Sequence, residues 1–391
     1  MVHSRFTVCV ALALALAAIA AGPTLGVAVK YKTSGTYVDG AGGQHPWSVN
    51  DAHTLIWDGR PYVPVGVTLT LASVASGAAD DAYQADVRAL QTAMAGGVTD
   101  VILRSPGPIT STDPAAWQKI LDYLDASGFT YGIEMNDGPK EGLRGFVVSP
   151  NRYRLEGPSV ETTIKLDWPD VDSAIYVIAN KFDNSIASTG GAVVKEGKVT
   201  IALAQPLTSG QVMIVYPRKA FKPESGMGDI WSGFGEYRDR VLEFFRKVKL
   251  GPGMRFFLEP FTGKMDFTGE MVGLVPDSRG FRLGLEAYLT KKYVHEGSLN
   301  AAWGFNENLS TIEEATRYMP LWNMGRGLSY VYDRTSAKMV SVDPSVTRMW
   351  RDIIDYRDTS AQEYMNTISD TLRKNVANVP VIFKGYKYHR V

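Results

Sequence analysis

The chain has 391 residues, of which 45% are hydrophobic and 21% are charged, a composition typical of a globular protein with a substantial core. Lys and Arg number 41, as do Asp and Glu, so the formal net charge is zero. This balance excludes nucleic-acid binding driven by bulk positive charge, and we expect no nucleic-acid partner.

The N-terminus predicts a secretory signal peptide over residues 1–28. Arg5 precedes an apolar run over 7–21, and the small-x-small sequence Gly26-Val27-Ala28 is a suitable cleavage site. An uncleaved membrane anchor is the alternative, but the apolar run is short for a membrane span and no basic cluster follows it. The single cysteine, Cys9, lies in this segment. We therefore expect a secreted or periplasmic protein without disulfides and, after cleavage, no membrane partner.

Strands and helices alternate after a Gly- and Ser-rich lead-in over residues 29–53. Asp58-Gly59 separates two strand-like runs and predicts a two-residue hairpin turn. We then expect strands over 63–69, 100–104 and 130–135, with helices over 80–97 and 113–129 between them. The second helix has Asp113 as its cap. This order predicts parallel strands, so residues 54–144 would form the first part of an α/β domain.

The pattern changes over residues 145–221, where short alternating runs predict strands only. We interpret this stretch as a small, β-sandwich-like domain inserted into the α/β domain. Alternation resumes over residues 222–391. There we expect helices over 234–249, 279–293 and 360–375, and strands over 254–259 and 379–385.

Five strands outside the insert predict an α/β fold of the (β/α)8 TIM-barrel type. A closed barrel of this type needs eight parallel strands. Because the sequence ends shortly after the fifth strand, we expect an incomplete, C-terminally truncated barrel. The alternative is a complete open sheet of five strands.

The common metal and cofactor motifs do not occur in the sequence. No metal-binding pair, nucleophile elbow, phosphate-binding loop or dinucleotide fingerprint is found. No metal and no cofactor are therefore predicted. The remaining candidates are polar residues at the carboxyl ends of the predicted strands, where parallel α/β proteins place their sites.

Two glutamates, Glu134 and Glu259, end predicted strands. Glu259 has three phenylalanines nearby in the sequence, and such surroundings are expected to raise its pKa as a general acid requires. Arg104 ends the predicted strand over 100–104, and an Arg in a mostly apolar setting needs a carboxylate or a substrate oxygen. For all three residues a plain structural ion pair is the alternative.

Further candidates follow the strands or lie in loops. Asn136 and Asp137 come after the third predicted strand and suit contacts to sugar hydroxyls, although both residues are also common turn formers. Trp303, Trp231 and Trp322 suit stacking on a sugar ring, with simple packing as the alternative.

Residues 288–310, YLTKKYVHEGSLNAAWGFNENLS, resemble the stretch after the fourth strand in glycoside hydrolase family 42, the β-galactosidase-like enzymes of clan A. The later stretch over 357–383 also resembles the family's run into strand five. The positions that match the first pattern are Tyr288, Leu289, Lys292, Tyr293, Leu299, Asn300, Ala302, Trp303 and Gly304.

The resemblance implies a retaining hydrolase with two carboxylates and an oligo- or polysaccharide substrate. It implies that Glu259, 22 residues before Phe281, is the acid/base, and that Arg104 matches the clan's nucleophile-contacting Arg. Leu258 departs from the clan, which has Asn at this position to hold the sugar 2-hydroxyl. The all-β insert is also unusual, and the clan's nucleophile lies on a seventh strand that this sequence does not reach.

We therefore expect an exported glycosidase of which this chain is the N-terminal portion, inactive by itself. A non-catalytic carbohydrate-binding protein on the same fold is the alternative, and Leu258 favours it slightly. A third possibility is an interaction protein whose β insert docks a partner. The sequence indicates neither the sugar nor the oligomeric state.

Overall fold

The computed structural model describes residues 34–138, 141–149, 153–160, 162–222, 228–232, 234–260, 267, 269–305, 309–321, 330–336, 338–342 and 348–383. The predicted signal peptide, Trp322 and the end of the last predicted strand lie outside these residues.

Among these residues the chain forms 22 strands and seven α-helices. The strands are β1 Ser34–Val38, β2 Gln44–Val49, β3 Leu55–Trp57, β4 Arg60–Tyr62, β5 Gly66–Thr70, β6 Asp100–Arg104, β7 Thr130–Glu134, β8 Glu141–Gly142, β9 Gly145–Val148, β10 Tyr153–Glu156, β11 Thr163–Lys165, β12 Ser173–Asn180, β13 Ile186–Lys195, β14 Lys198–Thr200, β15 Gln211–Phe221, β16 Gly228–Asp229, β17 Met254–Leu258, β18 Val275–Pro276, β19 Tyr318–Pro320, β20 Tyr330–Asp333, β21 Lys338–Ser341 and β22 Val381–Ile382. The helices are α1 Ala82–Ala95, α2 Pro114–Ala126, α3 Gly235–Phe245, α4 Arg279–Tyr293, α5 Glu296–Trp303, α6 Ile312–Ala315 and α7 Arg348–Asn375.

Strands β5, β6, β7, β17 and β22 form one five-stranded parallel sheet, with the strands side by side in chain order. This confirms the prediction of five parallel strands outside the insert. The first strand begins at Gly66 rather than at residue 63, because Pro64 has no N–H to donate to a ladder. No described strand pairs with the outer edge of β5, where Val63, Val65 and Val67 are 67%, 73% and 42% exposed.

The helices between these strands bury one apolar face each. In α2 the Asp113 carboxylate accepts the Ala115 N–H at 2.9 Å, and Pro114 is the first helical residue, so the predicted cap is confirmed. Helix α4 has the predicted bounds. Helix α7 begins at Arg348 instead of residue 360, because Trp350 and Ile353 bury an apolar face within a strongly charged stretch.

Strands β1 to β4 form an antiparallel sheet in chain order. Asp58 and Gly59 both have positive φ, 49° and 76°, which confirms the two-residue hairpin turn. The predicted lead-in is corrected, since β1 and β2 lie within it. The Tyr37 hydroxyl donates to the Leu250 carbonyl at 2.8 Å, and the Trp47 indole N–H donates to the carbonyl of Asn378, 331 residues away. Burial of these two aromatic residues holds the sheet against the rest of the chain.

Residues 145–221 contain strands and no helix in their described part. Their strands join β18 in one eight-stranded, largely antiparallel sheet with the order β11-β14-β13-β12-β15-β9-β18, and β10 also pairs with β15. Both faces of β12 are buried. Ala174 and Ile178 lie in a cluster within the segment, whereas Ile175 and Val177 pack with residues of α4, α5 and α7. That residues 145–221 fold independently stays a prediction.

Three further strands, β19 to β21, form a small antiparallel sheet that the sequence did not predict. None of the described helices combines the length and the apolarity needed to cross a membrane.

Candidate functional site

The candidate site lies at the carboxyl edge of the parallel sheet. The strand register aligns Thr70, Arg104, Glu134 and Leu258 across four neighbouring strands, and the N–H of Glu259 donates to the Ile382 carbonyl of β22 at 2.9 Å. The side chains predicted for chemistry at the ends of β6, β7 and β17 therefore belong to one edge of the sheet, where ligands bind in α/β proteins.

Arg104 and Glu134 form an ion pair at this edge. The Arg104 Nε and Nη2 atoms lie 2.9 Å and 2.8 Å from the same oxygen, Oε2 of Glu134. The Glu134 side chain is 11% exposed and the Arg104 side chain 40% exposed, so the carboxylate is largely enclosed while the guanidinium reaches solvent. Two charge-assisted hydrogen bonds fix the orientation of the carboxylate. Glu134 is therefore the carboxylate that Arg104 orients among the described residues.

Glu259 begins the loop after β17 and is half-buried. Its φ of 51° is in the left-handed region, which is uncommon for a residue other than Gly, Asn or Asp. The next residue, Pro260, is anchored by the buried hydroxyl of Tyr237, which donates to the Pro260 carbonyl at 2.8 Å. Backbone strain of this kind persists only where the surroundings hold it, and it clusters at functional sites.

Asn136 and Asp137 follow β7 and have different surroundings. Asn136 has a φ of 45°, and its side-chain N–H donates to the Ser105 carbonyl at 3.4 Å. Asp137 is 5% exposed; its Oδ1 accepts the Gly138 N–H at 2.7 Å, and its Oδ2 accepts the hydroxyl of Thr110. The carboxylate of Asp137 thus shapes the loop, whereas Asn136 is half-buried at the edge.

Trp303 is not at this edge. Its indole is 1% exposed within a hydrophobic cluster of α4, α5 and α7, and its N–H donates to the buried carboxylate of Asp352 at 2.8 Å. The predicted sugar contact by Trp303 is therefore corrected to packing, because no ring face is open to a ligand. Trp231 packs edge-on against Phe281 with ring centroids 4.9 Å apart, also in a packing role.

Residues that support the edge were missed by the sequence analysis. Tyr237 lies in α3, and burial, together with the nearby Asp137 carboxylate, raises the pKa of its hydroxyl. Asp86 of α1 accepts the N–H groups of Ala72 and Ser73 in the loop after β5. Arg357 donates to the carbonyls of residues 272 and 274, which follow the Glu259 loop. Each lies in a helix, where apolar periodicity gives no sign of a bond to a distant loop.

Within the part of the chain that the structure describes, no group of three or more His, Cys, Asp or Glu side chains is arranged to hold a metal ion. The charged side chains that end β6 and β7 and follow β17 are one cation and two glutamates, Arg104, Glu134 and Glu259. Such a set can orient a hydroxylated ligand and can transfer a proton.

The comparisons with known proteins give a distant structural likeness to the crystal structure of β-galactosidase from the psychrophilic Marinomonas ef1. The TM-score is 0.42 and the sequence identity 11%, over 82% of this chain and 37% of that enzyme. This chain thus spans little more than a third of that enzyme's length. No family model matches the sequence. No curated protein matches it either.

Proposed function

We propose that this protein is an exported glycoside hydrolase with a (β/α)8-type catalytic domain and a carbohydrate substrate. The observation that carries the proposal is that the half-buried Glu259 and the Arg104–Glu134 ion pair belong to the ends of adjacent strands at the carboxyl edge of the parallel sheet. The resemblance of residues 288–310 to glycoside hydrolase family 42 supports the same reaction class.

In this proposal Glu259 is the general acid that protonates the leaving glycosidic oxygen and then the base that activates water. The guanidinium of Arg104 forms its ion pair with Glu134. Glu134 and Asn136 contact sugar hydroxyls, and Arg104 orients a carboxylate. The attacking carboxylate of a retaining hydrolase lies about 5–5.5 Å from the acid, and we assign no described residue to that role.

The test replaces Glu259 with Gln in the full-length natural protein, which keeps the shape of the side chain and removes the transferable proton. We expect kcat on an unactivated oligosaccharide to fall by about 10²–10⁴-fold, the usual contribution of general acid–base catalysis. The loss should be smaller for 2,4-dinitrophenyl glycosides, whose leaving group needs little protonation. Added azide should restore turnover of these substrates, since azide attacks without a general base.

Glu243→Gln is the matched control, because Glu243 is an exposed residue of α3 that pairs only with Lys247 across one helical turn in the described structure. If Glu259→Gln keeps near-normal activity while Glu134→Gln loses activity, the general acid is on β7 and its assignment to Glu259 is wrong. If the protein hydrolyses no glycoside and binds sugars equally well with either glutamate replaced, it is the non-catalytic carbohydrate-binding protein instead.

A further inference from the structure

The strand-rich segment 145–221 carries a cavity of about 470 Å³ that the proposed hydrolysis does not use. The loop over residues 166–171 forms one wall, and the end of β13 with the turn at Glu196-Gly197 forms the other. The Leu166 N–H donates to the Gly197 carbonyl at 2.8 Å, which ties the two walls together. The volume is within the range of about 300–1,000 Å³ that small-molecule sites occupy.

Trp168 is the aromatic residue in the lining of this cavity. The Nζ atom of Lys219 lies 4.2 Å from the centroid of its ring. Lys219 is 7% exposed, whereas Trp168 is half-buried, so the ammonium group lies on the protein side of the indole. A cation on one face of the ring is attracted by the ring's π electrons and helps to hold the ring in place. Trp168 also packs against the large hydrophobic cluster that includes Leu143 and Val147, and it lines the cavity with its exposed part.

Polar acceptors lie at the rim of the same cavity. Asp170 and Glu196 are exposed, and both have positive φ, 55° and 50°, so each occupies a sharply turned backbone position in the lining that also contains Trp168. Carboxylates accept hydrogen bonds only, which suits hydroxyl donors. A sugar ring presents C–H groups on its face and hydroxyls at its edge. The cavity thus offers a flat apolar surface surrounded by acceptors, the complement of a sugar ring.

A second cavity of about 640 Å³ lies on the other side of the same turn. Tyr176, Lys195 and Thr200 line it, and Glu196 lines both cavities. Val194 lines the first cavity and its neighbours Val193 and Lys195 line the second, so the two cavities lie on opposite faces of the β13–β14 hairpin. The first cavity, which contains Trp168, is therefore a site by itself.

We propose that the segment 145–221 has a carbohydrate-binding site, centred on Trp168 and rimmed by Asp170 and Glu196, that takes one sugar ring of a polysaccharide. The site is built from the loop 166–171 and the β13–β14 turn, and none of its residues belongs to the edge that carries Glu259. The proposal therefore stands whether or not the protein hydrolyses glycosides.

The experiment is affinity electrophoresis of the folded protein in native gels that contain one soluble polysaccharide each: mixed-linkage β-glucan, xyloglucan, arabinogalactan or pectic galactan. We expect at least one polysaccharide to retard the wild-type protein. Trp168→Ala should raise the dissociation constant about tenfold or more, because it removes the ring surface. Asp170→Asn should weaken binding severalfold, and Asn tolerates the left-handed backbone at this position.

Phe182→Ala is the matched control. Phe182 is fully exposed at the tip between β12 and β13, at the end of that hairpin opposite Trp168, and its removal should leave the retardation unchanged. Circular dichroism checks that each variant is folded. If Trp168→Ala does not fold, the effect of Asp170→Asn on retardation decides whether the site binds polysaccharide. Retardation by none of the four polysaccharides overturns the proposal. So does equal retardation of the wild type and the folded site variants, or an equal loss in Phe182→Ala.

Discussion

Arg104 shows how a single residue can be tested for a role in function rather than in stability. In Arg104→Lys, an ammonium group replaces the guanidinium that contacts Glu134 through two nitrogens. We expect kcat/KM of the full-length protein to fall by about tenfold or more, since Glu134 loses its fixed orientation. The free energy of unfolding should change by less than about 1 kcal/mol, because the Arg104 side chain is partly exposed and solvent screens the pair.

Arg154→Lys provides the comparison for this measurement. The Arg154–Glu156 pair is also an Arg–carboxylate contact, but both side chains are more than half exposed on the strand-rich segment. Kinetics and urea unfolding are measured on both variants. A large loss of stability in Arg104→Lys without a loss of activity would make the ion pair structural.

The sequence predicted the residues of the edge better than their roles. Arg104, Glu134 and Glu259 lie at the ends of adjacent strands because parallel strands that follow one another in the chain lie side by side, with their carboxyl ends at one edge. The partner of Arg104 could not be predicted, since Glu134 and Glu259 both end predicted strands. Trp303 was misassigned because a buried Trp and a ligand-stacking Trp have the same sequence surroundings. The difference is the carboxylate of Asp352, 49 residues away.

At the scale of elements, Asp352 joins three helices. It is fully buried in α7; Lys292 at the end of α4 donates to its Oδ1 at 2.7 Å, and Trp303 at the end of α5 donates to its Oδ2. The Tyr293 hydroxyl also donates to Oδ2. Burial is the larger cause and this hydrogen bond the smaller cause of the raised pKa of Tyr293, which is about 12. Several matched positions of residues 288–310 thus form the joint between the helices.

We expect Asp352→Asn to destabilise the protein by about 1–3 kcal/mol, since an amide cannot accept all these bonds and leaves a buried donor unpaired. Urea unfolding gives the free energy. Asp370→Asn removes an exposed pair with Lys374 on the same helix and should change stability by no more than about 1 kcal/mol. If both substitutions change the free energy of unfolding equally, the buried hydrogen bonds of Asp352 stabilise the protein no more than an exposed ion pair does.

The first antiparallel sheet should respond to acid through Asp39. Burial opposes the ionisation of Asp39, but the backbone N–H groups of Gly43 and Ala41, together with His45, outweigh it and lower the pKa of this carboxyl. A lowered pKa in the folded state contributes stability above the unfolded value of about 3.9. This contribution is lost as the pH falls through the lower, folded-state pKa.

We therefore expect Asp39→Asn to be less stable than the wild type at pH 5. The difference should narrow as the pH falls below about 4, because the wild-type carboxyl then becomes protonated. Urea midpoints measured between pH 5 and pH 2 test this, with Asp51→Asn, an exposed turn residue of the same sheet, as the control. If the difference in stability between Asp39→Asn and the wild type stays constant over this range, the charge of Asp39 does not contribute to stability.

Elements were predicted best where one local signal decides them. Asp113 and Pro114 define the start of α2, and Asp58-Gly59 defines a hairpin, since each depends on its own backbone geometry. The first half of α7 and strands β1 and β2 were missed because their burial depends on distant partners. In the strand-rich segment, alternation indicated strands but could not show that both faces of β12 are covered.

At the scale of the whole molecule, we expect the outer edge of β5 to promote self-association. Val63, Val65 and Val67 are exposed at alternate positions beside a strand edge with no described partner, the arrangement that promotes edge-to-edge association. We expect Val65→Lys to lower concentration-dependent light scattering, because a charge on an edge blocks pairing. Val160→Lys places the same charge at an exposed valine of the strand-rich segment and should not lower it.

The predicted independence of residues 145–221 is tested by expressing that segment alone. Excision would uncover Ile175 and Val177, which pack with residues of α4, α5 and α7 in the whole chain. If the segment is nonetheless independent, it should give one cooperative thermal transition. A broad, non-cooperative transition would show that its second face needs the helices.

The anchoring of the first sheet also sets an order of events during synthesis. Trp47 of β2 bonds to the carbonyl of Asn378, 331 residues later. A ribosome that adds about 5–20 residues per second needs roughly 15 to 70 s to make the intervening chain. The strands β1 to β4 leave the ribosome well before residue 378, yet Trp47 can reach its final partner only after that residue has been made. The sheet of β1 to β4 is therefore secured only after the parallel strands β5, β6, β7 and β17 have been synthesised.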